Sequence, residues 1–325
     1  MVHLLGGRLA LLVALAAAIL SGCATPNRAP DASLRNLPVR TELAATPFFP
    51  QDEHQCGPAA LATALTAAGY ASDPKKITQQ VYLPAREGSL QAEMLAGARR
   101  QGALAVPAPD RLEGLLAELA AGRPVVVLQN LGLGISPRWH YAVLVGYDLE
   151  RREVVLRSGV TKREIMSMRT FGHTWARSDH WAMLVLAPGQ LPLSGSREAL
   201  EAALARQEKF SAPEAMVSWY DKALQRWPDS LLFMVGLGNA WHATGDLEQA
   251  ENAFRSAANM HPDSVVALNN LASVLQQQGK LEPALAVADK AVSLGGQWQA
   301  EATATRDAIR FALRQGAHAP PARVH

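Results

Sequence analysis

A cysteine and a histidine far apart in the sequence have the surroundings expected of a nucleophile and a general base. Cys56 directly precedes Gly57, Pro58 and an Ala- and Leu-rich stretch. Proline is favoured in the first turn of a helix, where its missing N–H is not needed. The sequence therefore predicts that Cys56 begins a helix, where the helix dipole and unpaired N–H groups stabilise a thiolate. We expect a lowered thiol pKa there.

A general base and an oxyanion donor are expected on a distant strand and near this cysteine. His140 stands at the head of the strand-like run Arg138-Trp-His-Tyr-Ala-Val-Leu-Val-Gly-Tyr147 and is the best candidate for the general base. Gln51 lies upstream of Cys56, where its amide would join the Cys56 N–H in an oxyanion hole. Gln55 competes for this role, but it is adjacent to the nucleophile and is expected to point elsewhere.

Composition limits the function classes. The chain has 325 residues with 31 Lys plus Arg and 29 Asp plus Glu, so it lacks the positive field that binds nucleic acid. It has two cysteines, Cys23 and Cys56. If Cys23 carries lipid, Cys56 has no disulfide partner and is either a candidate nucleophile or a small buried residue.

The N-terminus has the pattern of an export signal. His3 and Arg8 precede an apolar run from Leu9 to Leu20, followed by small residues. The sequence Leu20-Ser-Gly-Cys23 resembles the lipobox of bacterial lipoproteins, which implies cleavage before Cys23 and acyl chains that anchor the protein to a membrane. Ala24 after the cysteine points to the outer membrane. We expect a lipid-anchored protein of the Gram-negative cell envelope facing the periplasm; an ordinary cleaved signal peptide is the alternative.

Two breaks in composition divide the rest of the chain into two folded bodies. A proline-containing stretch follows the lipidation site, and a Pro-, Gly- and Ser-rich stretch precedes the Ala-rich C-terminal part. The predicted segments are a signal peptide (1–22), a lipidated tether (23–45), a first domain (46–188), a linker (189–196), a repeat domain (197–314) and a loose tail (315–325).

The first body has helical patterns early and strand patterns late. The predicted helices are 57–68, 89–101 and a third that begins with a capping box of Asp110 and Glu113 and ends at Ala121. The predicted strands are 125–128, 141–145, 153–156 and 181–186. This order indicates an α+β domain with a mainly antiparallel sheet.

The second body repeats with an offset of 34 residues. The small residues at positions 238, 250 and 257 recur as Ala272, Ala284 and Ala291, while Ala223 and Pro228 mark a copy before them. This pattern resembles the tetratricopeptide repeat and predicts three all-α repeats capped by a helix over 301–314. Leu237, Trp241 and Phe254 are expected to fill the seam, and the repeats to bind a protein partner on a concave surface.

The two blocks around Cys56 and His140 together resemble the bacteriocin-processing, double-glycine peptidase family of papain-like enzymes, over about residues 46–188. The resemblance implies Cys56 as nucleophile, His140 as base and Gln51 as oxyanion donor. The family also has an Asp that orients the histidine, and here Ser158 occupies that place on the next strand. A serine hydroxyl fixes the tautomer of the ring but stabilises an imidazolium less than a carboxylate does. Asp148 is the alternative.

The remaining histidines near the sheet are His54, His173 and His180. The segment from His173 to Trp181 has no cysteine or carboxylate pair at metal-ligand spacing, so it is interpreted as loop and strand without a metal. Trp175 and Trp181 are expected in the core or the groove wall. No cofactor is predicted.

The sequence therefore favours a membrane-anchored cysteine peptidase that hydrolyses a peptide or related amide through an acyl-enzyme. Two alternatives stay open. In one alternative, the first body is a non-catalytic peptide-binding module in a lipoprotein scaffold. In the other, it is an acyltransferase that shares the acylation step.

Overall fold

The protein is represented by a computed structural model that describes residues 34–50 and 55–317. The predicted signal peptide, Cys23, Gln51 and His54 lie outside these residues. The described residues from Pro38 onward form one compact unit. Among the described residues, no helix combines the length and the apolar character needed to cross a bilayer.

Seven antiparallel strands form the sheet of the first body. They are β1 (Arg40–Glu42), β2 (Leu104–Pro107), β3 (Val125–Asn130), β4 (Trp139–Asp148), β5 (Glu153–Ser158), β6 (Thr161–Ser167) and β7 (Ala182–Leu186). Their order is β2-β7-β3-β4-β5-β6, and β1 pairs with the end of β4. The long central strand β4 therefore pairs with β3 at His140 and with β5 from Val143 to Asp148.

Five helices accompany this sheet. They are α1 (Cys56–Ala67), α2 (Pro74–Val81), α3 (Gln91–Arg100), α4 (Leu112–Ala120) and α5 (Met168–Ala176). Helix α1 is buried from Gly57 through Leu65, which agrees with its nearly unbroken apolar sequence. It packs on the face of the sheet that carries Tyr141, Val143 and Val145. This packing fixes the start of α1 beside the start of β4.

Seven further helices form the second body. They are α6 (Arg197–Gln207), α7 (Pro213–Arg226), α8 (Leu231–Thr244), α9 (Leu247–Met260), α10 (Val265–Gln277), α11 (Leu281–Leu294) and α12 (Gln299–Ala317). Each helix from α7 to α11 packs against the next helix in the chain and α12 closes the stack, whereas α6 contacts β2 more than it contacts α7. A Cβ on Gly238 would lie 2.4 Å from the Phe254 ring, so only glycine permits this close approach of α8 and α9.

The fold class is confirmed: an antiparallel α+β body precedes an all-α repeat body. Several local predictions are wrong. Helix α4 begins at Leu112 and has no side-chain cap, so the Asp110 capping box does not form. The segment read as loop and strand around His173 is helix α5, capped by Ser167. Phe254 is buried and the half-buried Trp241 packs against the core of the repeats, but Leu237 is half-buried and lines a surface pocket.

Candidate active site

Cys56 is the first residue of α1, and its side chain is mostly buried against the core of the sheet. Burial raises the pKa of the thiol above its ordinary value, and the backbone N–H groups of Tyr141, Gly57 and Cys56 itself oppose this shift without reversing it. The expected lowering of the Cys56 pKa is therefore wrong. The desolvation of the sulfur outweighs the stabilisation of its anion at the helix start.

His140 is the second residue of β4 and pairs with Gln129 on β3. Its Nε2 lies 2.9 Å from Ser158 Oγ on β5. Burial lowers the imidazole pKa, nearby Glu164 raises it and Arg138 lowers it, with a net shift below the ordinary value. The ring is therefore neutral near pH 7. If Nε2 donates its proton to Ser158 Oγ, Nδ1 is left unprotonated and able to accept one.

Ser158, and not Asp148, is placed to orient the ring. Asp148 is the last residue of β4 and His140 the second, so eight residues of extended chain separate them by about 26 Å. Its carboxylate accepts hydrogen bonds of 2.9 Å and 2.6 Å from Arg40. Asp148 therefore fastens β1 to β4, while the Ser158 hydroxyl is buried behind the imidazole.

Cys56 and His140 line the same cavity of about 800 Å³. One wall is the loop 86–91, and the other includes Pro137, Arg138, Trp139 and Gly159. The Tyr141 hydroxyl donates to the Ser89 carbonyl over 3.1 Å and so holds the first wall against β4. The Tyr141 backbone also lowers the pKa of the Cys56 thiol. Thus the residue next to His140 acts on the thiol and holds the opposite wall.

Ser89 is a site residue that sequence reasoning missed. Its hydroxyl oxygen is buried and has no hydrogen-bond partner. A Cβ on Gly57 would lie 2.6 Å from this oxygen, so Ser89 stands directly beside the start of α1. Ser89 also lines the cavity that contains Cys56 and His140. The sequence carried no signal for it, because only the packing of loop 86–91 on α1 brings the two together.

The other candidates lie away from this cavity. His173 is exposed on α5, and the exposed His180 packs edge-on against Trp175, with ring centroids 4.8 Å apart. Trp175 belongs to the core, and Trp181 packs edge-on against Tyr141. Gln51 lies outside the described residues, so its oxyanion role stays a prediction. Within the described part of the chain, no three His, Cys, Asp or Glu side chains are grouped to hold a metal ion.

The pKa of Cys56 predicts its reactivity. Iodoacetamide reacts with the thiolate, and a raised pKa reduces the thiolate fraction at any given pH. We therefore expect the alkylation rate of Cys56 to rise with pH to a midpoint above the roughly 8.5 of an ordinary thiol. Mass spectrometry of the Cys56 peptide across pH measures this. A midpoint near neutral pH would show that burial does not determine the pKa of the Cys56 thiol.

Comparison with known proteins agrees with this architecture. The model of the Peptidase_C39 like family matches residues 43–183, and a tetratricopeptide repeat model matches residues 265–295. No curated protein matches the chain. These two family matches cover the parts that carry the cavity and the C-terminal repeats.

Solved structures are similar at low sequence identity. A putative C39-like peptidase from Bacillus anthracis is 19% identical and covers 45% of this chain and 97% of its own, with a TM-score of 0.38. The peptidase domain of Streptococcus ComA, a bi-functional ABC transporter, is 16% identical and covers 44% and 98%, with a TM-score of 0.36. The Yersinia enterocolitica chaperone SycD in complex with a YopD peptide is 19% identical and covers 36% and 93%, with a TM-score of 0.33. The chain thus joins a Peptidase_C39-like domain to a C-terminal tetratricopeptide repeat region.

Proposed function

We propose that the protein is a cysteine peptidase that hydrolyses a peptide or related amide, with Cys56 as nucleophile and His140 as general base. The observation that carries the proposal is that both side chains line one cavity while Ser158 Oγ lies 2.9 Å from Nε2 of the imidazole. The peptidase-like fold of residues 43–183 supports the same reaction class.

The shifted pKa values favour a neutral resting pair. Burial raises the pKa of the Cys56 thiol and lowers that of His140, so both groups are uncharged near pH 7. In the proposed reaction, His140 takes the thiol proton as the sulfur attacks the substrate carbonyl, and then gives it to the leaving amine. Water hydrolyses the resulting thioester. The Cys56 N–H and the Gln51 amide stabilise the oxyanion.

A binding module without catalysis is the second candidate. Two observations favour it: burial raises the pKa of the nucleophile, and a serine replaces the carboxylate that would stabilise an imidazolium. On this reading the cavity of about 800 Å³ holds a peptide without cleaving it. The predicted N-terminal lipid on Cys23 and the repeats would then present the bound peptide to a partner.

The other parts of the chain complete the proposal. Acyl chains on Cys23 anchor the protein to the outer membrane. The peptidase domain then meets its substrates on the periplasmic side. The tetratricopeptide repeats bind a protein partner, since such repeats stack into extended binding surfaces. That partner either supplies the substrate or docks the enzyme in an envelope complex.

A peptide library tests the proposed reaction. The purified protein and its Cys56→Ala variant are incubated with the library, and products are identified by mass spectrometry. New termini that carry one water, made only by the wild type, support hydrolysis. Products that carry an added amine or thiol acceptor instead indicate a transferase. Peptides that are retained by both proteins and never cleaved indicate the binding module and overturn the peptidase.

A further inference from the structure

A second cavity of about 590 Å³ lies between the two bodies, away from Cys56. Helix α3 and strand β2 form one side, and residues 192–196, helix α6 and Trp227 form the other. The lining is predominantly apolar and includes Leu95, Val106, Pro107, Leu200 and Trp227. A cavity of this size and character is typical of a small-molecule site.

Two arginines, Arg99 and Arg206, also line this cavity. Within residues 34–50 and 55–317, the guanidinium groups of both have no hydrogen bond and no carboxylate partner. Burial lowers the pKa of Arg99, and the neighbouring Arg206 and Arg100 lower it further. Arg100 has its own partner, Glu93, at 3.7 Å. The cavity therefore combines apolar walls with two unpaired guanidinium groups, of which Arg99 is half-buried and Arg206 is exposed.

Hydrogen bonds join the two bodies beside this cavity. Gln207 on α6 donates to the Arg99 carbonyl over 3.4 Å, and Ser211 donates to the Gly102 carbonyl over 2.9 Å. The first of these bonds joins the backbone of Arg99 to the residue that follows Arg206, and both arginines line the cavity. The site is thus formed before any ligand arrives, which reduces the cost of binding.

We propose that this cavity binds a small anionic amphiphile, a single carboxylate on an aliphatic chain, with the carboxylate between Arg99 and Arg206 and the chain against Leu95, Leu200 and Trp227. Paired guanidinium groups suit a carboxylate because they offer planar, charge-assisted donors. A peptide main chain fits less well, because its amides need polar partners and the walls formed by Leu95, Leu200 and Trp227 are apolar.

Calorimetric titration in detergent-free buffer tests the proposal. The purified protein is titrated with dodecanoate, with dodecyltrimethylammonium as the cation of equal chain length, and with acetate as the headgroup alone. We expect one dodecanoate per protein and at least about 10-fold weaker binding of the other two compounds. No binding of dodecanoate, or equal binding of the cation, would overturn the proposal.

Matched variants locate the site. The double variant Arg99→Gln, Arg206→Gln is expected to bind dodecanoate about 10-fold more weakly or worse, whereas Arg169→Gln, an exposed arginine on α5, is expected to bind it like the wild type. Ala199→Trp, at an exposed position on the cavity wall, is expected to block the chain without disturbing the core. Wild-type affinity in Ala199→Trp and in the double variant would place the ligand elsewhere.

Discussion

Alanine at either Cys56 or His140 is expected to lower kcat/KM for peptide hydrolysis by about 10³-fold or more. The two side chains line one cavity and act as a unit, because the sulfur needs the imidazole to remove its proton. Removing the second group after the first is therefore expected to lower kcat/KM little further. The double variant is expected to match the single variants instead of multiplying their losses.

Steady-state kinetics with one cleaved library peptide measure these losses. His173→Ala is the matched control, because His173 is an exposed histidine on α5 outside the cavity. Thermal unfolding of each variant shows whether the fold is retained. Wild-type kcat/KM in His140→Ala, with Cys56→Ala inactive, would remove His140 from the mechanism.

An aspartate at position 158 is expected to raise kcat/KM by about 10-fold or more, and an alanine there to lower it by about as much. The Ser158 oxygen lies 2.9 Å from Nε2 of His140, and a carboxylate in its place would stabilise the imidazolium that forms during proton transfer. Ser158→Asn is the matched control, since it has nearly the shape of aspartate without its charge. Equal rates for the Asp and Asn variants would contradict this electrostatic role.

The same substitution is expected to shift the pH dependence in a definite direction. Burial holds the His140 pKa below its ordinary value, so the wild type keeps a neutral base down to pH values below about 6.5. A carboxylate at 158 raises that pKa, and the protonated ring no longer acts as a base. As the pH is lowered, the kcat/KM of Ser158→Asp should therefore begin to fall at a higher pH than that of the wild type. A kcat/KM profile measured from neutral to acidic pH tests this.

The sequence was most informative where local pattern and burial agree. Helix α1 has apolar residues on all sides and strand β4 is apolar throughout its middle, so both elements around Cys56 and His140 were predictable. Helix α5 was not. It contains Thr170, Gly172 and Thr174, which are poor helix formers, and it is stabilised by tertiary contacts such as the buried Trp175 and the 2.6 Å bond from Gln129 to Thr174.

Two properties of the site depend on packing that the sequence does not display. The helix start at Cys56 suggested a lowered pKa, but the pKa is set by how deeply the sulfur is buried against β4. The choice between Ser158 and Asp148 needed the strand register, which puts Ser158 behind His140 and Asp148 at the far end of the strand. Ser89 likewise reaches Gly57 only through the fold.

The central claim is that Cys56 forms a covalent acyl-enzyme with proton transfer to His140. Intact-mass spectrometry after rapid mixing with an activated peptide ester at pH 7 tests it most directly. We expect one acyl group per protein, located on Cys56, absent in Cys56→Ala and formed about 100-fold more slowly or worse in His140→Ala. An unacylated wild-type protein, or equal acylation rates with and without His140, would contradict the account.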